Sequence, residues 1–327
     1  MRFNDREYLS EEFFCRLNEL KAFHPEVVMQ EAERREKSGY PHKKLVFAAA
    51  DHNARMINEY KGNPIGLGNR RQYLSRLIRM LESDQVDGIE AAPDIIEELL
   101  FANYLLRQDG KKEILKGKML VGTVNRGGLK NTVWEMDDMR TCFTVERIAA
   151  LRMDGVKFMI RINPSDERSG KTVLYGAETV NQACSYGLPV FIEALFVDTE
   201  NGALKMKLDS ESLCKVVGVV GALGCTSAAK WIEVPLNDEY QVPVGATACP
   251  VLVVPDEREE DDLAVIREYT EQIGVSYQVR GILLGRNVMF SQNDPFVLAE
   301  AIAGVWHSGR SAEEAYERAK AAANAAE

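Results

Sequence analysis

Residues 155–162 read Gly-Val-Lys-Phe-Met-Ile-Arg-Ile, an apolar run that contains two cationic side chains. Two later runs, 189–196 and 230–236, read Pro-Val-Phe-Ile-Glu-Ala-Leu-Phe and Lys-Trp-Ile-Glu-Val-Pro-Leu, and each places a glutamate among apolar neighbours. Short apolar runs of this kind are typical of strands that are buried on both faces of a parallel sheet. Because an ionised group buried without a partner is strongly destabilising, the charges predict that these strands meet at a functional site.

Strand-like runs recur along most of the chain, at residues 44–50, 86–92, 119–124, 155–162, 189–196, 230–236, 250–255 and 281–285. Helix-like segments separate most of them, at 70–83, 93–106, 177–186, 210–222 and 259–273. This alternation indicates an α/β protein, and eight strands within about 250 residues are typical of a (β/α)8 TIM barrel. A doubly wound open sheet is the alternative, which is disfavoured because no G-x-G-x-x-G turn follows the first strand.

The 327 residues contain no obvious linker, so we expect one domain over 1–327. Its predicted parts are a helical extension over 1–43, the barrel over 44–305 and a terminal helix over 306–327, with Ser10 and Ser311 as helix caps. The net charge of −10 disfavours nucleic acid and anionic membranes as partners. No apolar run has the about 18 residues that span a bilayer, and the N-terminus has no apolar signal core, which predicts a cytoplasmic protein.

Polar side chains follow or end the predicted strands, where the functional groups of such barrels lie. They are Asp51, His52, Glu90, Asn125, Lys157, Arg161, Glu193, Glu233, Asp256, Gly285 and Arg286. Lys157 is the central candidate. It could form a Schiff base if its pKa is lowered, or bind a substrate oxygen as a cation, whereas a structural ion pair with Glu193 or Glu233 is the simpler alternative.

The two glutamates and Asp51 are the other candidates for catalysis. Glu193 and Glu233 can act as general acid or base if their pKa values are tuned. Asp51 follows three alanines that leave room for a ligand, although an aspartate here can also simply cap a helix. We expect no cofactor, and a divalent metal held by Glu193, Glu233 and His52 is the minor alternative.

Gly285 and Arg286 predict an anion site after the last strand. Glycine allows close approach of a ligand to the backbone, and arginine supplies a fork that matches a phosphate. His52, Asn125 and Arg161 are further candidates for contact with a small-molecule substrate.

In this order and spacing, the motifs resemble the class I aldolase superfamily, specifically the DhnA-type fructose-bisphosphate aldolases and the related tagatose-bisphosphate and sulfofructose-phosphate aldolases. The resemblance covers most of residues 44–305. The matching segments are Ala-Ala-Ala-Asp-His (48–52), Asp-Gly-Val-Lys (154–157), Phe-Ile-Glu-Ala-Leu (191–195), Ile-Glu-Val-Pro (232–235) and Gly-Arg-Asn-Val (285–288). It implies a cofactor-independent carbon–carbon lyase, a phosphorylated or otherwise anionic sugar-like substrate, and a homo-oligomer.

Two positions depart from the family pattern. Trp231 stands where the family has its Schiff-base lysine on the sixth strand, and Lys230 lies one residue earlier, on the opposite face of a regular strand. We therefore expect Lys157 to be the amine, with Lys230 in reserve. The seventh strand ends in Val-Pro-Asp (254–256) in place of a Gly-rich phosphate turn. The alternative functions are an isomerase, epimerase or metal-assisted lyase without a Schiff base, and a non-catalytic barrel that binds a sugar phosphate.

Overall fold

The computed structural model describes residues 3–37, 39, 43–125, 128–258 and 261–325. Within these residues, eight parallel strands form the barrel: β1 (Leu45–Ala50), β2 (Gly88–Ala91), β3 (Met119–Thr123), β4 (Gly155–Ile162), β5 (Val190–Glu200), β7 (Lys230–Pro235), β8 (Val251–Val254) and β9 (Val279–Leu284). Neighbours pair in this order, and β9 pairs with β1 to close the barrel. The predicted (β/α)8 barrel is confirmed, and the open sheet is excluded.

Helices cover the outside of the barrel and precede it. They are α1 (Asp5–Tyr8), α2 (Glu11–Phe23), α3 (Val27–Arg34), α4 (Arg70–Leu81), α5 (Pro93–Gln108), α6 (Val145–Ala150), α7 (Arg168–Ser185), α8 (Ser210–Ala222), α9 (Gln241–Val244), α10 (Asp262–Thr270), α11 (Arg286–Met289), α12 (Pro295–Ser308) and α13 (Ala312–Ala325). The predicted caps are confirmed, since the hydroxyls of Ser10 and Ser311 each accept a backbone N–H at 3.2 Å. In the described part of the chain, no helix is long and apolar enough to cross a membrane.

The structure differs from the sequence prediction mainly around the fifth strand. β5 continues past residue 196 and turns at Asn201 and Gly202 into β6 (Ala203–Met206), which pairs with it antiparallel. Both turn residues have positive φ angles, 51° and 79°, as the type I′ turn of a hairpin requires. α7 begins well before the predicted residue 177. The predicted segments that include residues 1, 2, 38, 40–42, 259, 260, 326 and 327 extend beyond the described residues.

The lower part of the barrel interior is apolar. We call this layer the apolar floor; its buried members are Leu45, Phe47, Ala49, Met119, Val121, Phe191, Leu252 and Leu283. Trp231 packs against the floor, and its ring stacks on Phe191 at a centroid distance of 5.6 Å. Two residues further along β5 and β7, Glu193 and Glu233 lie opposite each other in register. Because side chains alternate along a strand, both glutamates face the interior one layer above the floor.

Candidate active site

Lys157 lies at the centre of a buried group of carboxylates. Its Nζ atom is 3.2 Å from Glu90 Oε2, 3.2 Å from Glu193 Oε2, 3.1 Å from Glu233 Oε2 and 3.9 Å from Asp51 Oδ2. We call these five residues the lysine–carboxylate cluster. The structure therefore brings together four residues that the sequence singled out for catalysis, and it adds Glu90.

The strand register explains why these side chains meet. Glu193 on β5 lies opposite Met159 on β4 and opposite Glu233 on β7, so the two glutamates are level with each other. Lys157 begins one layer lower, at the level of Phe191 in the apolar floor. A lysine side chain is long enough to rise through one layer, which places its ammonium among carboxylates that are themselves on shorter side chains.

Exposure divides the cluster into an inner and an outer part. The side chains of Glu90 and Glu233 are completely buried, and that of Lys157 is 2% exposed. Asp51 is 8% exposed and Glu193 is 18% exposed. The two outer carboxylates are therefore the ones nearest to a ligand at the mouth of the barrel.

The charges of the cluster follow from burial and from mutual attraction. Burial lowers the pKa of Lys157, but the surrounding carboxylates outweigh it and raise this pKa well above its usual value. Burial raises the pKa of Glu90 and, helped by the negative charge of its neighbours, raises that of Glu233 far above its usual value. Burial also acts on Glu193, but the positive charges of Lys157 and Arg55 dominate and lower its pKa. These shifts favour the ammonium form of Lys157, the ionised form of Glu193 and the protonated form of Glu233.

Arg55 is a second buried cation that the sequence analysis missed. Its guanidinium contacts Asp51 Oδ2 at 2.7 Å and the sulfur of Met159 at 2.6 Å, and its side chain is 5% exposed. Arg55 lies in a short 3₁₀ turn after β1, so no strand periodicity pointed to it. The guanidinium helps to keep the pKa of Asp51 well below its usual range.

Asn125 and Arg161 support the wall of the site. The side-chain amide of Asn125 accepts the N–H of Met159 at 2.9 Å and donates to the Met159 carbonyl at 2.7 Å. The guanidinium of Arg161 donates to Asp138 Oδ1 at 2.9 Å, and the same oxygen accepts the N–H of Gly128. These bonds fix the loop after β3, and the geometry gives no support to the predicted substrate contacts of Asn125 and Arg161.

Lys230 points away from the barrel interior. Its amine donates to the carbonyl oxygens of Val220, Gly221 and Leu223 at 3.0, 3.0 and 2.7 Å, at the end of α8, and the residue is 1% exposed. Because this face of β7 packs against helix α8, the reserve assignment of Lys230 as the Schiff-base amine is corrected to a structural one.

The Gly285–Arg286 turn already holds a carboxylate of the protein itself. Nε and an Nη atom of Arg286 lie 2.9 and 2.8 Å from Glu257 Oε2, and the Arg286 backbone N–H donates to the other oxygen of Glu257. The Gly285 N–H donates to the hydroxyl of Tyr269 at 3.2 Å. The donors that the sequence assigned to a phosphate are thus engaged within the chain.

His52 directly follows Asp51 in the sequence, and charges of both this turn and the lysine–carboxylate cluster act on it. Burial lowers the pKa of His52, while the charges of Asp51 and Glu257 oppose this effect. Its Nδ1 atom is buried and makes no hydrogen bond with any described residue. Among the described residues, no group of three or more His, Cys, Asp or Glu side chains is arranged to hold a metal ion, and the Lys157 ammonium lies between Glu193 and Glu233.

The protein is a (β/α)8 barrel that carries a buried lysine–carboxylate cluster at the ends of its strands. Its backbone resembles an archaeal fructose 1,6-bisphosphate aldolase, with 16% identity, a TM-score of 0.60, and coverage of 86% of this chain and 100% of the other. It also resembles the fructose-bisphosphate aldolase from Slackia heliotrinireducens, with 13% identity, a TM-score of 0.63, and coverage of 98% and 96%. At these identities the likeness concerns the fold.

Residues 43–304 match the Cgl0159-like family, and the chain belongs to this family. The crystal structure of Cgl0159 from Corynebacterium glutamicum is 28% identical, with a TM-score of 0.83, and the match covers 92% of this chain and 99% of that one. No functionally curated protein matches the chain.

Proposed function

We propose that this chain is an aldolase-type carbon–carbon lyase that acts on a sugar-like carbonyl compound. One observation carries the proposal, namely the buried amine of Lys157 with three glutamate oxygens within 3.2 Å of it. The aldolase-like fold supports the proposal, because such barrels carry their chemistry at the C-terminal ends of the strands, where Glu193 and Asp51 are the more exposed members of the cluster.

The amine must first lose a proton, because only a neutral amine attacks a carbonyl. Glu193 lies 3.2 Å from Nζ and is the most exposed carboxylate of the cluster, so we assign it this proton, although the raised pKa of Lys157 opposes the transfer. The amine of Lys157 adds to the carbonyl carbon and gives a carbinolamine. The carbinolamine hydroxyl then takes the proton back from Glu193 and leaves as water, which produces an iminium ion.

The iminium ion accepts the electron pair of the carbon–carbon bond that breaks. Asp51 accepts the proton of the hydroxyl group that becomes the carbonyl of the departing fragment. Its depressed pKa favours the ionised form in which it can do so. Protonation of the remaining enamine and hydrolysis of the iminium release the second product and restore Lys157.

An isomerase or epimerase without a Schiff base is the second candidate. The raised pKa of Lys157 favours it, because a permanent ammonium can polarise a carbonyl without attacking it. Glu193 would then move a proton at the carbon next to that carbonyl.

Borohydride trapping distinguishes the two functions. The protein is incubated with a panel of ketoses, aldoses and keto acids, reduced with borohydride, and analysed by intact mass and peptide mapping. An adduct on Lys157 that is absent from a Lys157→Met variant supports the lyase. Turnover without an adduct supports the isomerase or epimerase, and the absence of both adduct and turnover over the panel contradicts both candidates.

We further propose that the protein acts in the cytoplasm as a homo-oligomer. The six cysteines form no disulfide among the described residues, which fits a reducing compartment, and the aldolase resemblance supports the assembly. Light scattering coupled to size-exclusion chromatography measures the number of subunits.

A further inference from the structure

We propose that Glu257 is a specificity-determining residue that excludes phosphate from the Gly285–Arg286 turn. The substrate end that binds at this side of the mouth would then be unphosphorylated and carry hydroxyl groups. The inference rests on the proposed function, because it names the substrate class of the same site. It replaces the expectation that this turn binds a phosphate.

Arg286 binds the Glu257 carboxylate in the way that an arginine binds an anionic ligand. One carboxylate accepts the backbone N–H of Arg286 and two donors of its guanidinium, the latter at 2.9 and 2.8 Å. Hydrogen bonds in which both partners are charged are among the strong ones, and a guanidinium that uses two donors fixes the orientation of its anion. The side chain of Glu257 is 14% exposed and that of Arg286 is 31% exposed, so the pair lines the mouth and is partly shielded from water.

The backbone of Gly285 lies close to the Glu257 carboxylate. A Cβ atom at position 285 would collide with Glu257 Oε1, so any other residue here would displace this carboxylate. The Gly285 N–H is bonded to Tyr269, whose hydroxyl donates in turn to Asn287. Both backbone donors of the turn are therefore satisfied, and a phosphate would have to displace Glu257 to reach Arg286.

The loop after β8 holds Glu257 in place. The φ angle of Glu257 is 58°, a left-handed conformation that is uncommon for residues other than glycine. The next residue fixes the loop, because the Arg258 N–H donates to Glu268 at 3.0 Å. A strained conformation persists when its surroundings determine it, and such residues concentrate at ligand sites.

The surrounding charge is also unfavourable for a phosphate. A cavity of about 530 Å³ is lined by residues 208–210 and 236–239 and by Asp256 and Arg258, the residues on either side of Glu257 in the sequence. Its charged lining residues are Asp209, Asp238, Glu239, Asp256 and Arg258, so carboxylates outnumber cations by four to one. A phosphate dianion would be repelled here, whereas a hydroxyl group can donate a hydrogen bond to Glu257.

His52 connects this place to the proposed reaction centre. The charges of Glu257 and Arg286 act on the His52 ring together with those of Asp51 and Lys157, so the turn lies within electrostatic range of the cluster. The buried Nδ1 of His52 makes no hydrogen bond with a described residue, so it is available to a hydroxyl group of the substrate.

The test measures binding of inorganic phosphate by calorimetry, in chloride at constant ionic strength, without any turnover. Wild-type protein is compared with Glu257→Ala, which removes the carboxylate, and with Glu257→Gln, which removes the charge and keeps the shape. Circular dichroism confirms that each variant is folded. We expect no saturable phosphate binding to the wild type. In Glu257→Ala we expect the affinity for phosphate to rise at least about tenfold, and an additional Arg286→Ala substitution should abolish this gain.

Each outcome decides the inference. Phosphate binding to the wild type that depends on Arg286 overturns it, and so does a Glu257→Ala variant that still fails to bind. If Glu257→Ala does not fold, a gain of binding in Glu257→Gln supports the inference, and its absence overturns it. Because no substrate is involved, these results are independent of borohydride trapping, whose failure would contradict only the proposed lyase.

Discussion

Replacing Lys157 with methionine tests the central feature of the site. Methionine has nearly the same length and removes only the charge and the hydrogen bonds. The substitution leaves Glu90, Glu193 and Glu233 buried without the ammonium that lies 3.1–3.2 Å from each of them. Removing one partner of a buried ion pair costs about 3–5 kcal/mol, because the remaining charge is uncompensated.

The loss of stability should depend on pH. In the wild type the pKa of Glu193 is lowered, so its ionised form adds stability above the unfolded pKa of about 4.3, and this contribution disappears as the pH falls through the folded value. Without Lys157 the buried carboxyl group favours its protonated form. Keeping one such carboxyl group protonated costs about 1.36 kcal/mol for each pH unit above its unfolded pKa of about 4.3. This cost is up to about 5 kcal/mol at pH 8 and about 1 kcal/mol at pH 5.

Urea unfolding followed by circular dichroism at pH 5 and pH 8 measures this difference. Lys230→Met is the matched control, since Lys230 is equally buried but bonds three carbonyl groups that do not titrate. We expect the free energy of unfolding of Lys157→Met to fall further below wild type at pH 8 than at pH 5, and the deficit of Lys230→Met to stay constant. A Lys157→Met deficit below about 1 kcal/mol at both pH values would refute the reasoning.

Three further predictions concern single residues. Glu193→Gln should lower kcat by about 10²- to 10⁴-fold, because glutamine cannot accept the proton; steady-state kinetics measures this, and a loss below about tenfold speaks against the role. Gly285→Ala should destabilise the fold by about 1–3 kcal/mol in urea unfolding, since its Cβ would displace the Glu257 carboxylate from Arg286, and an unchanged midpoint contradicts the close approach. Burial raises the pKa of Asp138 to about 6, so wild-type stability should fall as the pH rises from about 4 to 6. Asp138→Asn should flatten this dependence in unfolding curves, and an unchanged slope would show that another group causes it.

The barrel could be predicted because each of its strands leaves a local signature. The run 155–162 coincides with β4, since a strand buried on both faces is apolar throughout and ends where polar residues begin. The β5–β6 hairpin also had a local signal, the Asn201-Gly202 pair, which was overlooked. The early start of α7 had none, because Gly170 and Gly176 weaken the helical pattern while tertiary packing, with Gly176 close against Phe158, stabilises the helix.

The site could be predicted only where charge interrupts an apolar strand. Lys157, Glu193 and Glu233 were found in this way, and the structure places an oxygen of each glutamate within 3.2 Å of the Lys157 amine. Arg55 and Glu257 lie in loops, where a charged residue carries no information by itself. Their importance depends on which strand ends lie beside them in the folded protein. A pattern in a single sequence does not contain the distance between a loop residue and a strand that is remote in the chain.

The apolar floor has a kinetic consequence for the protons of the cluster. The floor closes the barrel beneath Glu90 and Glu233, and both side chains are completely buried. Their protons therefore exchange with bulk water by way of Asp51 and Glu193, the two members with exposed surface. A ligand that covers these outer carboxylates would isolate the inner pair, so its protonation state at the moment of binding would persist until the ligand leaves.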